Sequence, residues 1–222
     1  MMMPTTPPHT EADLLLRCRQ IEGLTVNQLL QQVPIAIARE ASRRKGAVGM
    51  LLERMLGAEA GNQAAPDFSH LGVELKTLPI GLDGKPIEST FITTIPLLTI
   101  HQQKWQTSTC FLKLKRVLWL PIEADSSLPL MHRRVGRAFL WSPTPEQELI
   151  LEQDWVLLTN MITAGALDEI SAHIGRYLQI RPKAAHGQVL TDSFDRVGNR
   201  MKTLPRGFYL RRRFTELLIP AK

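Results

Sequence analysis

Cysteine is scarce in this chain of 222 residues: Cys18 and Cys110 are too few and too isolated for a disulfide framework or a zinc site. Buried thiols and a reducing, cytoplasmic compartment are the expectation. No apolar run approaches membrane-spanning length. Met1 to Thr10 is rich in Pro and Thr and has no basic segment leading into an apolar stretch, which excludes a secretory signal there. Also missing are a glycine-rich phosphate loop of the required spacing, paired His and Cys ligands, and a Ser-His-Asp arrangement. The six histidines are scattered, and His70 is the one nearest the acidic cluster described below. Imidazole is a poor ligand for hard cations, so a surface or hydrogen-bonding role is expected for it.

What is present is a soluble-protein composition, 44% hydrophobic, enough for one sizeable core or two joined lobes. A net charge of +6 favours a polyanionic partner. The charge is concentrated: Arg176 to Arg213 holds ten Lys or Arg against Asp192 and Asp195 alone. Such a cluster supplies salt-dependent phosphate affinity. Within it, Arg181-Pro182 falls just past an expected helix end, and Arg206 to Arg211 reads as a loop entering a strand. Arginine can pair bidentately with guanine, and Tyr or Pro can meet an adenine edge, although any single arginine also fits a solvated face.

In chain order, Thr10 with Asp13 opens a helix ending near Gly23, and Thr25 to Gln28 is a capping box for a helix that Pro34 stops. Val48, Leu51, Leu52 and Met55 form one helical face within Lys45 to Gly57, with Glu53 at its boundary. Ser89 to Ile95 is expected to be a strand partnering the one from Leu71 to Leu78, across a hairpin turn at Asp83-Gly84-Lys85. Thr109 to Ile122 alternates as one strand, with Lys113, Lys115 and Trp119 on one face. There Lys113 and Lys115 fit a phosphate contact and a solvated sheet face equally. Ala138 to Trp141 is a short strand. Ser142 to Gln147 then caps a helix whose core face is Leu151, Trp155, Leu158 and Ile162. A second helix is expected after Gly165, through Leu167, Ile170, Ile174 and Tyr177.

The run Pro66-Asp67, six residues, Glu74-Leu75-Lys76 carries the sharpest chemistry. Period-two alternation puts Glu74 and Lys76 on one strand face, with Asp67 on a bend just upstream. Two carboxylates suit Mg²⁺, and a neighbouring lysine can orient a water or steady charge on a phosphate. A same-face ion pair is the plainer reading of Glu74 and Lys76. Glu53 likewise fits either a boundary ion pair or a further ligand from a helix behind the strand.

Several stretches together resemble the MutH family of methyl-directed mismatch-repair endonucleases, in the restriction-endonuclease-like superfamily. They are Lys45-Gly46 through Glu53, Asp67 through Lys76, Glu88-Ser89-Thr90-Phe91, Arg116-Val117-Leu118-Trp119, Leu178 through Ala185, and Leu204 through Leu210. The resemblance implies an α/β (α+β) fold with a PD-(D/E)xK core. A mixed central sheet would be flanked by helices, in two lobes around a DNA-binding cleft. Residues 1–10 would form a disordered tail. Residues 11–222 would be a single domain, made of a catalytic lobe and a C-terminal basic DNA-reading lobe. It further implies Asp67, Glu74 and Lys76 as catalytic residues, and Asp67, Glu74, Glu53 and the Leu75 carbonyl as ligands of Mg²⁺ or Mn²⁺. Lys45, Gly46, Phe91, Lys113, Arg181, Pro182 and Tyr209 would contact DNA. Tyr209 would sense adenine methylation, and Phe91 would press into the minor groove. The implied reaction is nicking of the unmethylated strand 5′ to the G of hemimethylated GATC by a monomer that MutL activates, with MutS acting through MutL. A GATC-specific restriction enzyme cutting both strands, and a catalytically silent repair scaffold, are the competing readings.

Overall fold

The computed structural model describes residues 6–34, 46–59, 64–183 and 189–220. In chain order the elements are α1 (Glu11–Ile21), α2 (Val26–Leu30), α3 (Ala47–Leu56), β1 (Glu74–Ile80), β2 (Thr90–Thr94), α4 (Thr109–Leu114) and β3 (Val117–Glu123). After these come β4 (Phe139–Trp141), α5 (Pro145–Thr163), β5 (Leu178–Pro182), β6 (Thr191–Phe194), β7 (Arg200–Thr203), β8 (Arg206–Leu210) and α6 (Arg212–Leu218). They form two compact units that interleave along the chain, Met1–Ile87 with Lys115–Ser142, and Glu88–Leu114 with Pro143–Lys222. Mixed α/β character is as expected. In place of one central sheet, the described residues form three small ones: β1-β3-β4, β2-β8-β5 and β6-β7. No helix among the described residues is long and apolar enough to cross a membrane.

The first unit is built by local signals. Thr10 accepts a hydrogen bond from the Asp13 amide at 3.1 Å and starts α1. Thr25 and Gln28 close both halves of the capping box of α2. The buried faces of α1, α2 and α3 pack with Phe68, Val73, Leu75, Leu118 and Leu120 into one core. The strand expected from Leu71 begins only at Glu74. Upstream, Leu71 donates to the Phe68 carbonyl and Gly72 to that of Ser69, making a tight turn that delivers the chain to β1. β1 pairs in parallel with β3, and β4 joins β3 antiparallel. The hairpin turn at Asp83-Gly84-Lys85 forms, with the Gly81 amide donating to the Lys85 carbonyl at 2.9 Å.

Residues 6–10 lie along this unit. Arg17 donates to the Thr6 carbonyl at 2.9 Å, and His70 Nε2 lies 2.5 Å from the Pro8 carbonyl oxygen. Glu11 receives both arms of the Arg116 guanidinium, at 2.7 and 2.5 Å. The hydrogen bond from Arg116 holds the Glu11 carboxyl below its ordinary value, against the opposing effect of burial. A carboxyl depressed in the folded state contributes stability above its unfolded pKa and loses that contribution as pH falls through the folded one. Thermal melts of wild type and Glu11→Gln should therefore separate at about pH 7 and converge towards about pH 3. A gap that does not change with pH would show that the pair contributes nothing.

Three expectations are corrected. Thr109 to Ile122 is not one strand but α4 followed by β3. The buried Ser108 hydroxyl accepts from the Phe111 amide at 3.1 Å and donates to the Trp105 carbonyl, which nucleates a helix where alternation suggested a strand. Lys113 is thus a buried helix residue, Leu112 is exposed, and Trp119 is fully buried in β3. The shared basic strand face of Lys113 and Lys115 does not exist. Secondly, β2 does not pair with β1. The hairpin closes at Ile80 and Pro86, where proline offers no donor to extend a ladder, and β2 pairs antiparallel with β8. Thirdly, only a 3-10 turn at Leu167–Glu169 forms after Gly165, and Arg181-Pro182 ends a strand, not a helix. Elsewhere α1, α3, β4 and α5 fall where expected, whereas α2 ends at Leu30, short of Pro34, and β6, β7 and α6 had no sequence expectation. Thr144 caps α5 with Pro145 in its first turn and Gln147 completing the box, and Leu151, Trp155, Leu158 and Ile162 are buried.

Candidate active site

The start of β1 is where the chemistry gathers. In an edge strand, one residue's N–H and C=O point to the same side, and neighbouring residues point to opposite sides. Glu74 donates its amide to the Arg116 carbonyl at 3.0 Å, so its backbone faces β3. Leu75 therefore faces the open edge, where its amide donates to Asp67 Oδ2 at 2.9 Å. Asp67 is in this way tied to the residue between Glu74 and Lys76. The Leu75 carbonyl points to the same edge. Asp67 is held in turn by its own carbonyl, which accepts from the Glu59 amide at 2.9 Å.

The side chains of β1 divide as alternation requires. Leu75 joins the helical core, while Glu74 and Lys76 share the other face with Leu78 and, across the parallel ladder, Val117 and Trp119. That face is also covered: Glu74 is 1% exposed, and Leu78, Val117 and Trp119 are inaccessible. Lys76 Nζ sits 2.5 Å from Glu74 Oε1. Asp67 is 4% exposed. Two acids so deeply buried are uncommon without compensating partners.

Glu53 lies on α3, which packs against β1 as expected of a helix behind the strand. Among the described residues, no three His, Cys, Asp or Glu side chains are grouped closely enough to hold a metal together. The structure thus links Asp67, Glu74 and Lys76 through β1 without closing a three-acid cluster with Glu53. The donors still fit Mg²⁺, since they are all oxygen and that ion takes only one or two protein carboxylates beside waters and phosphate oxygens. His70 is engaged elsewhere, with the Pro8 carbonyl and, at 3.4 Å, Glu59.

The second unit gathers three of the expected DNA contacts, Phe91, Arg181 and Tyr209, on one sheet face. β8 lies between β2 and β5, with Tyr209 opposite both Phe91 and Gln179, and Gly207 opposite Arg181. Phe208 and Leu210 point into the core with Leu178 and Ile180, which leaves Tyr209, Phe91 and Arg181 on the other side. Phe91 meets Tyr209 edge to face at 5.3 Å, and the Arg181 guanidinium lies 6.0 Å from the Tyr209 ring centre. Gly207 permits this packing, because a Cβ there would come within 2.8 Å of the Phe91 ring. Burial pushes the Tyr209 phenol above its ordinary value, Arg181 opposing and Glu88 adding, so it stays protonated at neutral pH.

Two residues here were not singled out from sequence. Lys183 Nζ stands 3.2 Å from the Phe91 ring centre, and Ser89 Oγ accepts from Arg181 at 2.8 Å. Both lie in stretches that carry the family resemblance, but no role was marked there for either, and Lys183 stood out only as part of the cluster of positive charge. Pro182 is exposed beside Arg181, and Gly46 is the N-cap of α3. Lys45 lies outside the described residues, and Lys113 is buried on α4.

Comparison with known proteins shows the family. Residues 56–154 match the family described as the DNA mismatch repair enzyme MutH. The chain is 46% identical over 212 residues to the DNA mismatch repair protein MutH of Vibrio parahaemolyticus, covering 96% of this chain and 94% of that protein. It is 46% identical over 214 residues to the protein of the same name from Escherichia coli K12, covering 96% and 93%. The chain belongs to the MutH family of DNA mismatch repair enzymes.

Proposed function

We propose that this enzyme is a divalent-metal-dependent endonuclease that nicks the unmethylated strand 5′ to the G of hemimethylated GATC. It would act as a monomer and be activated by MutL, which relays the signal of MutS. The observation that carries the reading is the buried Asp67 and Glu74 pair at the start of β1, with the Lys76 ammonium against Glu74. Such a group works against folding and is retained where its chemistry is used.

Asp67 and Glu74, with the Leu75 carbonyl and Glu53 as further oxygen donors, would hold Mg²⁺ or Mn²⁺. When bound, that ion would supply Lewis-acid polarisation of the phosphate and activation of a water. Lys76 supplies the mobile positive charge. Its ammonium rests on Glu74, and turning it to a phosphate oxygen or the attacking water would steady the charge that grows during in-line displacement.

Recognition would fall to the second unit's sheet face. One Arg181 N–H is committed to Ser89, so the guanidinium is aimed before DNA arrives, and its other N–H groups remain able to fork onto guanine. The protonated Tyr209 hydroxyl and Pro182 would face the adenine, where an N6-methyl group competes for the same space. Phe91 would enter the minor groove, and Lys45, Gly46 and Lys183 would contact the backbone.

A strand-resolved nicking assay tests the reading, using one GATC duplex in unmethylated, hemimethylated and fully methylated form, with Mg²⁺ and with or without MutL. Nicks confined to unmethylated strands and stimulated by MutL are expected. Double-strand cuts independent of MutL would make it a restriction enzyme, and binding without cleavage would make it a scaffold.

A further inference from the structure

We infer that Asp154 is a positioning residue for base reading, which fixes the register at which β5 presents Arg181 and Pro182 to DNA. The inference rests on the endonuclease reading above and extends it to a residue that would touch neither DNA base nor metal.

Asp154 projects from α5 among the apolar residues Leu151, Trp155 and Leu158 and is 6% exposed. Its carboxyl accepts from three successive backbone amides. Arg176 donates at 2.8 and 2.9 Å, Tyr177 at 2.5 Å and Leu178 at 2.8 Å. The amides can converge because Gly175 adopts φ +87°, and a Cβ there would stand 2.2 Å from the Leu178 carbonyl oxygen. Leu178 is the first residue of β5.

The same turn is fastened from its other side by the residue that follows β8. Arg211 donates its amide to the Tyr177 carbonyl at 2.8 Å and its guanidinium to the Ile174 carbonyl at 2.7 Å. The strands carrying Arg181 and Tyr209 therefore share one anchor at the Leu178–Leu210 end of their ladder. A slip of one residue would turn Arg181 into the core and Ile180 out of it. Leucine at position 154 would suit the helix face better, but it would leave three amides, that of Leu178 buried, without this acceptor and the register unkeyed.

Asp154→Asn preserves shape but removes the charge that draws the three amides, and turns the oxygen that meets Arg176 alone into a donor. The expected result is a faster hydrogen exchange at Tyr177 and Leu178. Discrimination between GATC and a one-base-pair variant should fall by about tenfold, through KM more than kcat. Ile162→Ala, a cavity on the same helix, should lower the melting temperature and leave discrimination at the wild-type level. The inference is overturned if Asp154→Asn keeps wild-type discrimination, or if the two variants lose it equally. Should Asp154→Asn fail to fold, Arg211→Lys removes the bond to Ile174 and carries the same expectation. If wild type nicks no GATC duplex, the endonuclease reading fails. Competition binding between the two duplexes then still decides whether Asp154 sets selectivity.

Discussion

Lys76→Ala is expected to slow nicking of a hemimethylated GATC duplex by about 10²–10³-fold, the usual consequence of removing one charge that stabilises a transition state. Affinity for the duplex in metal-free buffer should stay close to wild type, because the sheet face bearing Arg181 and Tyr209 is untouched. Stability should change as well. The substitution takes the ammonium from a Glu74 side chain that is 1% exposed, and breaking one side of a buried ion pair costs about 3–5 kcal/mol. The lower end applies, since the Lys76 side chain is 14% exposed and water can partly replace it. A divalent cation at the acidic pair would offset that loss, so the variant's melting temperature should rise more with Mg²⁺ than the wild type's. Full activity in Lys76→Ala would remove the lysine from the chemistry.

The comparison of Asp67→Asn with Asp67→Ala separates charge from architecture. Asparagine keeps an oxygen to accept from the Leu75 amide, so its melting temperature should remain near wild type. Its activity should fall by about 10³-fold, because losing one carboxylate from a Mg²⁺ site forfeits several kcal/mol of transition-state stabilisation. Alanine removes the acceptor too. Leaving a buried amide without a partner costs about 1–3 kcal/mol more, so this variant should be as inactive and also less stable. Isothermal titration with Mg²⁺ should show weakened binding in both. If Asp67→Asn cleaved at the wild-type rate, the carboxylate would be a structural cap for β1 and no metal ligand.

The parts of this architecture that could be read from sequence are those decided within a few residues. Thr10, Thr25 and Thr144 start helices because a hydroxyl three residues ahead of an amide satisfies it whatever the rest of the chain does. The Glu74 and Lys76 face was legible because a strand's period fixes it. The errors fall where a second local signal or a distant partner outvotes the pattern. Phe111-Leu112-Lys113-Leu114-Lys115 alternates like a strand, yet the Ser108 cap and the packing of Trp105 on Phe111 make Thr109–Leu114 a helix. Leu167, Ile170, Ile174 and Tyr177 have helical spacing, but Asp154 takes the amides that would continue a helix. β2 reads as the second arm of a hairpin because it follows one. Its actual partner is β8, which no local signal could name. At the candidate site, Asp67 could be placed near β1 by its proline, but its bond to Leu75 required the turn at residues 68–73.

The interleaving of the two units has a consequence for the order in which the protein comes into being. On the ribosome, β1 emerges with Glu74 and Lys76 on it and Asp67 just ahead, but the carbonyl that receives the Glu74 amide belongs to Arg116, beyond the excursion from Glu88 to Leu114. Until β3 has left the exit tunnel, nothing seats the acidic strand in its sheet. β2, made early, likewise waits for β8 near the end of synthesis. Pairings so distant in sequence form late. A nascent or prematurely terminated chain that ends before β3 thus carries the acids and the lysine without the strand that seats them.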